Sequence, residues 1–214
     1  MPPSHGRLMT ELGIGTLLIA SFDLEDHERY LAEAGHIAGP LFTRTVVLLI
    51  HYAPDEQPLG LVLNSPMGDR LQRYKHEEIA RYADGLGADE DTLFYWGGPC
   101  KADKLTFLHR VDACAEGSRQ VYPGIYFGGD LDAVREHIAL GAGSPDDLRY
   151  FLGYAGWDPG QLEEELEQNQ WLLSNAGRDL VLDEPAETLW QQALYALGGK
   201  YRSQAFMPLD ATVN

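Results

Sequence analysis

The stretch Gly153-Tyr154-Ala155-Gly156-Trp157-Asp158-Pro159-Gly160-Gln161 decides how the rest of this chain is read. Before it stand Leu148, Tyr150, Phe151 and Leu152, large and apolar as in a buried or half-buried strand. Gly153 and Gly156 then bracket a turn, because glycine takes a positive φ or lets a second backbone approach at no steric cost. Trp157 carries too much apolar surface to leave in water, so it is expected in the core. Asp158 stands where a helix N-cap belongs. Pro159 follows at the first helical position, where its missing N–H is no loss, and Gln161 completes an Asp-x-x-Gln capping box. The spacing predicts a helix from Pro159 to about Asn169, and replacing the Asp158 cap by alanine is expected to cost about 1 kcal/mol. Gly153, Gly156, Trp157 and Asp158 thus form a structural hub between sheet and helix. A phosphate site at this turn is disfavoured by charge. Asp158 already occupies the positive end of the helix, Glu163, Glu164, Glu165 and Glu167 follow, and neither Lys nor Arg lies between Phe151 and Trp171.

Working outward, residues 45–50 (Thr-Val-Val-Leu-Leu-Ile) are β-branched and apolar at successive positions, which fits a central strand covered on both faces. Residues 59–63 return after the turn marked by Asp55 and Pro58, as in an antiparallel hairpin. Further strands are expected over 16–20, 93–96, 105–109, 124–129 and 171–173, and a loop begins at Gly117 and Ser118. Helices are expected over 22–34 with Asp23 as cap, over 76–82, from the Asp130 cap to Gly141, and from the Asp183 cap to Gly198. The last carries a buried stripe of Leu189, Trp190, Ala193, Leu194 and Leu197. Strands in runs, with helices between unequal loops, indicate an α+β fold in one domain over 13–200, with loosely ordered tails at 1–12 and 201–214.

Composition narrows the function classes. With 16 basic and 33 acidic residues the net charge is −17, a balance that repels nucleic acid, whose binding rests on Lys and Arg at phosphates. Two cysteines, Cys100 and Cys114, make neither a disulfide framework nor a zinc quartet and read as reduced thiols. The apolar run over 14–20 is too short and interrupted for a signal peptide, and no run approaches the ~20 apolar residues of a membrane helix. The expectation is a cytoplasmic protein.

Chemical motifs are scarce. There is no Gly-x-Ser-x-Gly elbow, no Walker loop and no Gly-x-Gly-x-x-Gly. Cys100, after Gly97-Gly98-Pro99, would need a base to act as a nucleophile, and the nearest histidine in sequence is His109. His76-Glu77-Glu78-Ile79-Ala80 begins like a zinc-helix motif but carries Ala80 where the second ligand belongs. Asp23, Asp26, His27 and Glu28 fit a solvated helix face better than a divalent-ion site. No metal and no cofactor are expected. What remains are polar or glycine positions at strand ends, Asn64, Gly97, Gly98 and Tyr154, as the candidates for a ligand-binding cleft.

Several segments together resemble one family: Gly15-Thr16-Leu17-Leu18-Ile19-Ala20; Phe42-Thr43-Arg44-Thr45-Val46-Val47-Leu48-Leu49; Gly60-Leu61-Val62-Leu63-Asn64-x-Pro66; Gly97-Gly98-Pro99; Gly153-Tyr154-Ala155-Gly156-Trp157 with Gln161-Leu162-Glu163-x-Glu165; and Trp171. In this order, across most of the chain, they resemble the AlgH/YqgE family of bacterial proteins. The resemblance implies an α+β fold with a strongly curled, partly split β-sheet flanked by helices, in a cytosolic protein. It carries the label of transcriptional regulator and supplies no catalytic residues or cofactor. Residues 28–40 depart from the pattern as an insertion before the second strand. The first functional expectation is a regulatory or adaptor protein acting through protein or small-ligand contacts. The alternatives are an enzyme with a cleft near Asn64, Gly97, Gly98 and Tyr154, and a DNA-binding regulator, which the charge disfavours.

Overall fold

Among the described residues nine strands carry the architecture: β1 (Leu17–Ala20), β2 (Val46–His51), β3 (Leu59–Val62), β4 (Phe94–Trp96), β5 (Cys100–His109), β6 (Arg119–Tyr122), β7 (Ile125–Phe127), β8 (Leu148–Gly156) and β9 (Trp171–Ser174). Around them lie α1 (Phe22–Glu33), α2 (Leu131–His137), α3 (Gln161–Glu167), α4 (Asp179–Leu182), α5 (Ala186–Leu197) and α6 (Tyr201–Gln204). The structure, a computed structural model, describes residues 12–33, 41–53, 55–67, 92–175 and 179–206. The expected 76–82 helix, the zinc-like His76 motif and most of both tails lie outside these residues.

The strands run in the order β6-β7-β5-β8-β3-β2-β1-β9, with β4 added beside β8. All pairs are antiparallel except β4–β8, which is parallel. The sheet curls into a half-barrel, and the expected α+β class in one domain holds. The curl brings β6 back against β2 and the start of β1: Arg119 of β6 donates to the Ile50 carbonyl at 3.3 Å, and a Cβ on Gly15 would lie 2.3 Å from the Val121 carbonyl oxygen.

Both faces are covered, as the run at 45–50 requires. Successive side chains of a strand point to opposite faces. Leu17, Ile19, Val46, Leu48 and Ile50 accordingly join one core with Leu189, Trp190, Ala193 and Leu194 of α5, while Leu18, Ala20, Val47 and Leu49 join a second with Trp96, Trp157, Leu162 and Trp171. Trp190 fixes α5 to β1 by donating from Nε1 to the Ala20 carbonyl at 2.8 Å.

β8 holds the two halves of the sheet together. Its first half, Tyr150 to Leu152, lies between β4 and β5; its end, Ala155 and Gly156, pairs with Gly60 and Leu59 of β3. The strand does not stop at Gly153, as the glycine pattern predicted, but kinks there at φ 71° and continues to Gly156. The kink admits the β4–β5 connection: a Cβ on Gly153 would lie 2.4 Å from the Gly98 carbonyl oxygen.

The helix starts differ from the capping pattern in three places. α3 begins at Gln161, with left-handed Gly160 before it, so Asp158 is not its cap. Half of the reciprocal box survives, because the Gln161 side chain accepts from the Asp158 N–H at 2.9 Å, whereas the Asp158 carboxylate accepts from the Gln57 side chain at 3.5 Å. The expected cap energy therefore does not belong to that carboxylate. α1 starts after Ser21, whose hydroxyl accepts from the Leu24 N–H at 3.3 Å, and Asp23 sits inside its first turn. α5 follows Pro185 without a side-chain cap, and Asp183 is engaged elsewhere. Asp130 does cap α2, accepting from the Ala133 N–H at 3.0 Å. The segment from Tyr201, expected to be loose, begins with α6 and buries Ala205 completely.

Two of the buried polar side chains, Glu28 and His109, bear directly on this frame. Glu28, expected on a solvated face, is buried, and its carboxylate accepts from the Leu41 and Phe42 amides at 3.0 and 2.8 Å and from the Thr43 hydroxyl at 2.7 Å. It ties α1 to the start of β2. His109 is 0% exposed and stacks on Tyr126 at 5.3 Å. Burial pushes its pKa below the usual histidine value, with a backbone contact at Gly128 opposing. The unfolded chain, with histidine near 6.5, binds the proton first as pH falls. The stabilisation from neutral His109 is therefore fully present above about pH 6.5 and is lost as pH drops toward the folded value. Urea melts between pH 5 and 8 are expected to show this slope in the wild type and a shallower one in His109→Phe.

Candidate functional site

The polar and glycine positions singled out in the sequence occupy one neighbourhood, the junction of β3, β4 and β8. Asn64 bridges strand ends: its Oδ1 accepts from the Val46 N–H and its Nδ2 donates to the Arg44 carbonyl, both at 2.9 Å. Gly97 links two strands, donating to the Leu152 carbonyl at 2.8 Å and accepting from the Val62 N–H at 2.9 Å. A Cβ on Gly97 would sit 2.3 Å from the Gly153 carbonyl oxygen, and one on Gly98 would sit 2.2 Å from Tyr154 C and Ala155 N. These glycines therefore lie in backbone contact, with no room for a ligand between them. Tyr154 faces a small cavity of about 220 Å³, shared with Cys100, Gly156, Trp157 and Asp158. Cys100 and His109 stand at opposite ends of β5, facing Tyr154 and Leu148 of β8 and so roughly 20 Å apart at about 3.3 Å per strand residue, and the histidine is no base for that thiol.

The hub has a member that the sequence reading missed. Trp157 is 4% exposed, and its indole N–H donates to Glu165 Oε2 at 2.8 Å. Trp171 donates to the same oxygen at 2.7 Å, and Gln161 donates to Oε1 at 2.8 Å. The two indoles meet edge to face at 6.1 Å. One carboxylate on α3 thus satisfies two buried donors from β8's end and from β9. Its only sequence signal is its place one helical turn after Gln161, on the face that meets the tryptophans.

A second concavity, a cleft of about 790 Å³, opens at the other end of β8. Leu148, Arg149 and Tyr150 of β8 form its floor with Tyr95 of β4. Arg135 and Ile138 stand on the α2 side. Residues 182–185, between α4 and α5, close the far wall, and Leu93 stands at the rim, 59% exposed. Arg149 donates to the Leu182 carbonyl at 2.9 Å and to the Val181 and Leu63 carbonyls at 3.3 and 3.4 Å. Its guanidinium lies 4.7 Å from the Tyr95 ring centre. It so satisfies carbonyls at the end of α4 and at the end of β3 together. Burial lowers the Arg149 pKa, with Tyr95 opposing. Arg110 pairs with Asp147 at 2.7 Å and Asp183 at 2.5 Å, which is where the expected cap of α5 is spent. Burial raises the Tyr150 hydroxyl pKa, and the charge of Arg135 beside it opposes that rise. The sequence pattern did not single out Arg110, Arg135 or Arg149, because their elements lie far apart in the chain.

Among the described residues no group of three His, Cys, Asp or Glu side chains is placed to hold a metal, and no helix is long and apolar enough to cross a membrane. Asp23, Asp26, His27 and Glu28 do not converge: Arg29 pairs with Asp26, and Glu28 turns inward.

A half-barrel sheet shared through one strand, with helices over both faces, defines a single-domain α+β protein. The AlgH-like family model matches residues 30–202, and the chain belongs to that family. It is 33% identical over 198 residues to a UPF0301 protein of Chlorobium luteolum, covering 92% of each chain. To a UPF0301 protein of Chlorobium phaeobacteroides it is 29% identical over 191 residues, covering 89% of this chain and 97% of that one. Among solved structures it is similar to the AlgH protein from Pseudomonas aeruginosa, determined in solution, with TM-score 0.59 and 26% identity over 99% of this chain and 100% of that one. A crystal structure of a Corynebacterium diphtheriae protein shares the fold, with TM-score 0.64 at 20% identity over 92% and 94% of the two chains. The relatives are uncharacterised, so the family assigns no activity.

Proposed function

We propose that the protein is a regulatory or adaptor protein that works by binding rather than turnover, and that the cleft over β8 is where it makes its contact. The observation that carries this reading is the composition of that cleft. It is large enough for a metabolite or a short segment of a partner, and it combines aromatic and aliphatic walls with convergent polar groups, as ligand sites do. The region around Asn64, Gly97 and Gly98, the alternative site for an enzyme, is occupied by backbone packing. The DNA-binding alternative has the net charge of −17 against it.

A thermal-shift screen of a metabolite panel tests the reading, since a ligand that binds only the folded chain raises its melting temperature. Members of the panel are expected to stabilise the wild type and to lose that effect in Leu93→Glu, which charges the cleft rim without touching the core. A panel that leaves the wild type unmoved, or that stabilises both proteins equally, counts against the cleft.

A further inference from the structure

The chain has 33 acidic residues against 16 basic ones, yet three guanidinium groups line this one cleft. They are not equivalent. Arg110 is neutralised by Asp147 and Asp183. Arg149, in the floor, has neutral partners: three main-chain carbonyls and the Tyr95 ring, with no ion pair among the described residues. Arg135, in the wall, lies against the neutral Tyr150 hydroxyl and pairs with Asp132 only at 3.9 Å, the two side chains of that pair being 33% and 94% exposed; such a pair contributes little. Carbonyl dipoles hold a guanidinium in place but leave its net charge standing. Two guanidinium groups without a close ion pair thus face one concavity, and Asp146 and Asp183, which also line it, act on Arg149 only from a distance.

Resting on the ligand-binding reading above, we infer that the floor of the cleft binds a small organic carboxylate. Arg135 donates to the carboxylate from the α2 side, Arg149 supplies positive potential from beneath, and the organic part lies against Leu93, Ile138 and Tyr150. A guanidinium suits this ligand because its paired N–H donors match the two oxygens of a carboxylate. The cleft also limits the ligand's charge. Asp146 and Glu184 line it too, and they repel a polyanion while tolerating a single negative group.

The test is an NMR titration of the ¹⁵N-labelled full chain with benzoate and, separately, with uncharged benzyl alcohol, at constant ionic strength. Benzoate is expected to give saturable shifts of the Arg135 side-chain Nε–H and of the Leu93 and Ile138 amides. Arg135→Ala is expected to weaken it about tenfold, the size of one lost charge-assisted hydrogen bond, and Arg135→Lys to restore part of the loss. The unliganded melting temperature of each variant verifies that it folds. Benzyl alcohol binding as tightly as benzoate, benzoate binding indifferent to Arg135→Ala, or shifts centred elsewhere would each overturn the inference and leave the cleft reading intact. Silence of both probes overturns it as well, while the metabolite panel with Leu93→Glu decides the cleft reading separately.

Discussion

Gly98→Ala is expected to abolish folding, or to leave a chain destabilised by more than about 4 kcal/mol. Two costs combine. The φ of 148° is one that side-chain-bearing residues rarely adopt, at about 1–3 kcal/mol. The new Cβ would also lie 2.2 Å from Tyr154 C and Ala155 N and 2.3 Å from Tyr154 O. These are main-chain atoms of the strand that joins both halves of the sheet, so no rotamer change relieves the clash, and overpacking of this kind adds about 1–3 kcal/mol or more. Gly160→Ala is the matched control. It too has a positive φ, 84°, but nothing lies within 4 Å of its Cβ. Its expected cost is about 1 kcal/mol, the left-handed penalty alone. Soluble yield and urea melts of the two variants separate backbone contact from backbone conformation. Equal costs would mean that the approach of the β4–β5 connection to β8 is not what demands glycine.

Glu165→Leu is expected to cost about 2–5 kcal/mol. Leucine fills much of the volume but leaves the indole N–H groups of Trp157 and Trp171 without an acceptor in a buried setting, at about 1–3 kcal/mol each. Glu165→Gln keeps one carbonyl oxygen for the two donors and is expected to lose less than half as much. The readout is a urea melt followed by tryptophan fluorescence, whose emission also reports the changed surroundings of both rings. In a double-mutant cycle, Trp171→Phe should cost less in the Glu165→Leu background than in the wild type, because the phenylalanine has no N–H left to satisfy. Additive costs would place the stabilisation in ring packing instead of in the shared carboxylate.

Elements covered on both faces, or marked by a clear stripe, were legible in the sequence. Val46 to Ile50 could be read as central because every residue there is apolar, and α5 because Leu189, Trp190, Ala193 and Leu194 recur at helical spacing. β6 was not legible: of Arg119, Gln120, Val121 and Tyr122 only Val121 is buried, too little for a period-two pattern. Gly153 was read as a terminator because a lone glycine looks the same whether it ends a strand or kinks one. The difference lies in Gly98, far away in sequence. Glu28 was read as solvated for a similar reason, since the amides that hold it belong to residues 41 and 42. The resemblance carried the sheet's curl, which local pattern alone does not give. The cleft escaped notice entirely: Arg110, Arg135 and Arg149 come from different elements, and nothing local distinguishes a guanidinium capping carbonyls from one in solvent.

β8 touches β3, β4 and β5 and sends Phe151 into one core and Leu152 into the other. A molecule built this way has no seam. Loss of that strand removes the partner of each half at once, so heat or denaturant should melt the chain in one cooperative step, and cutting it at the kink should yield two fragments with no independent fold.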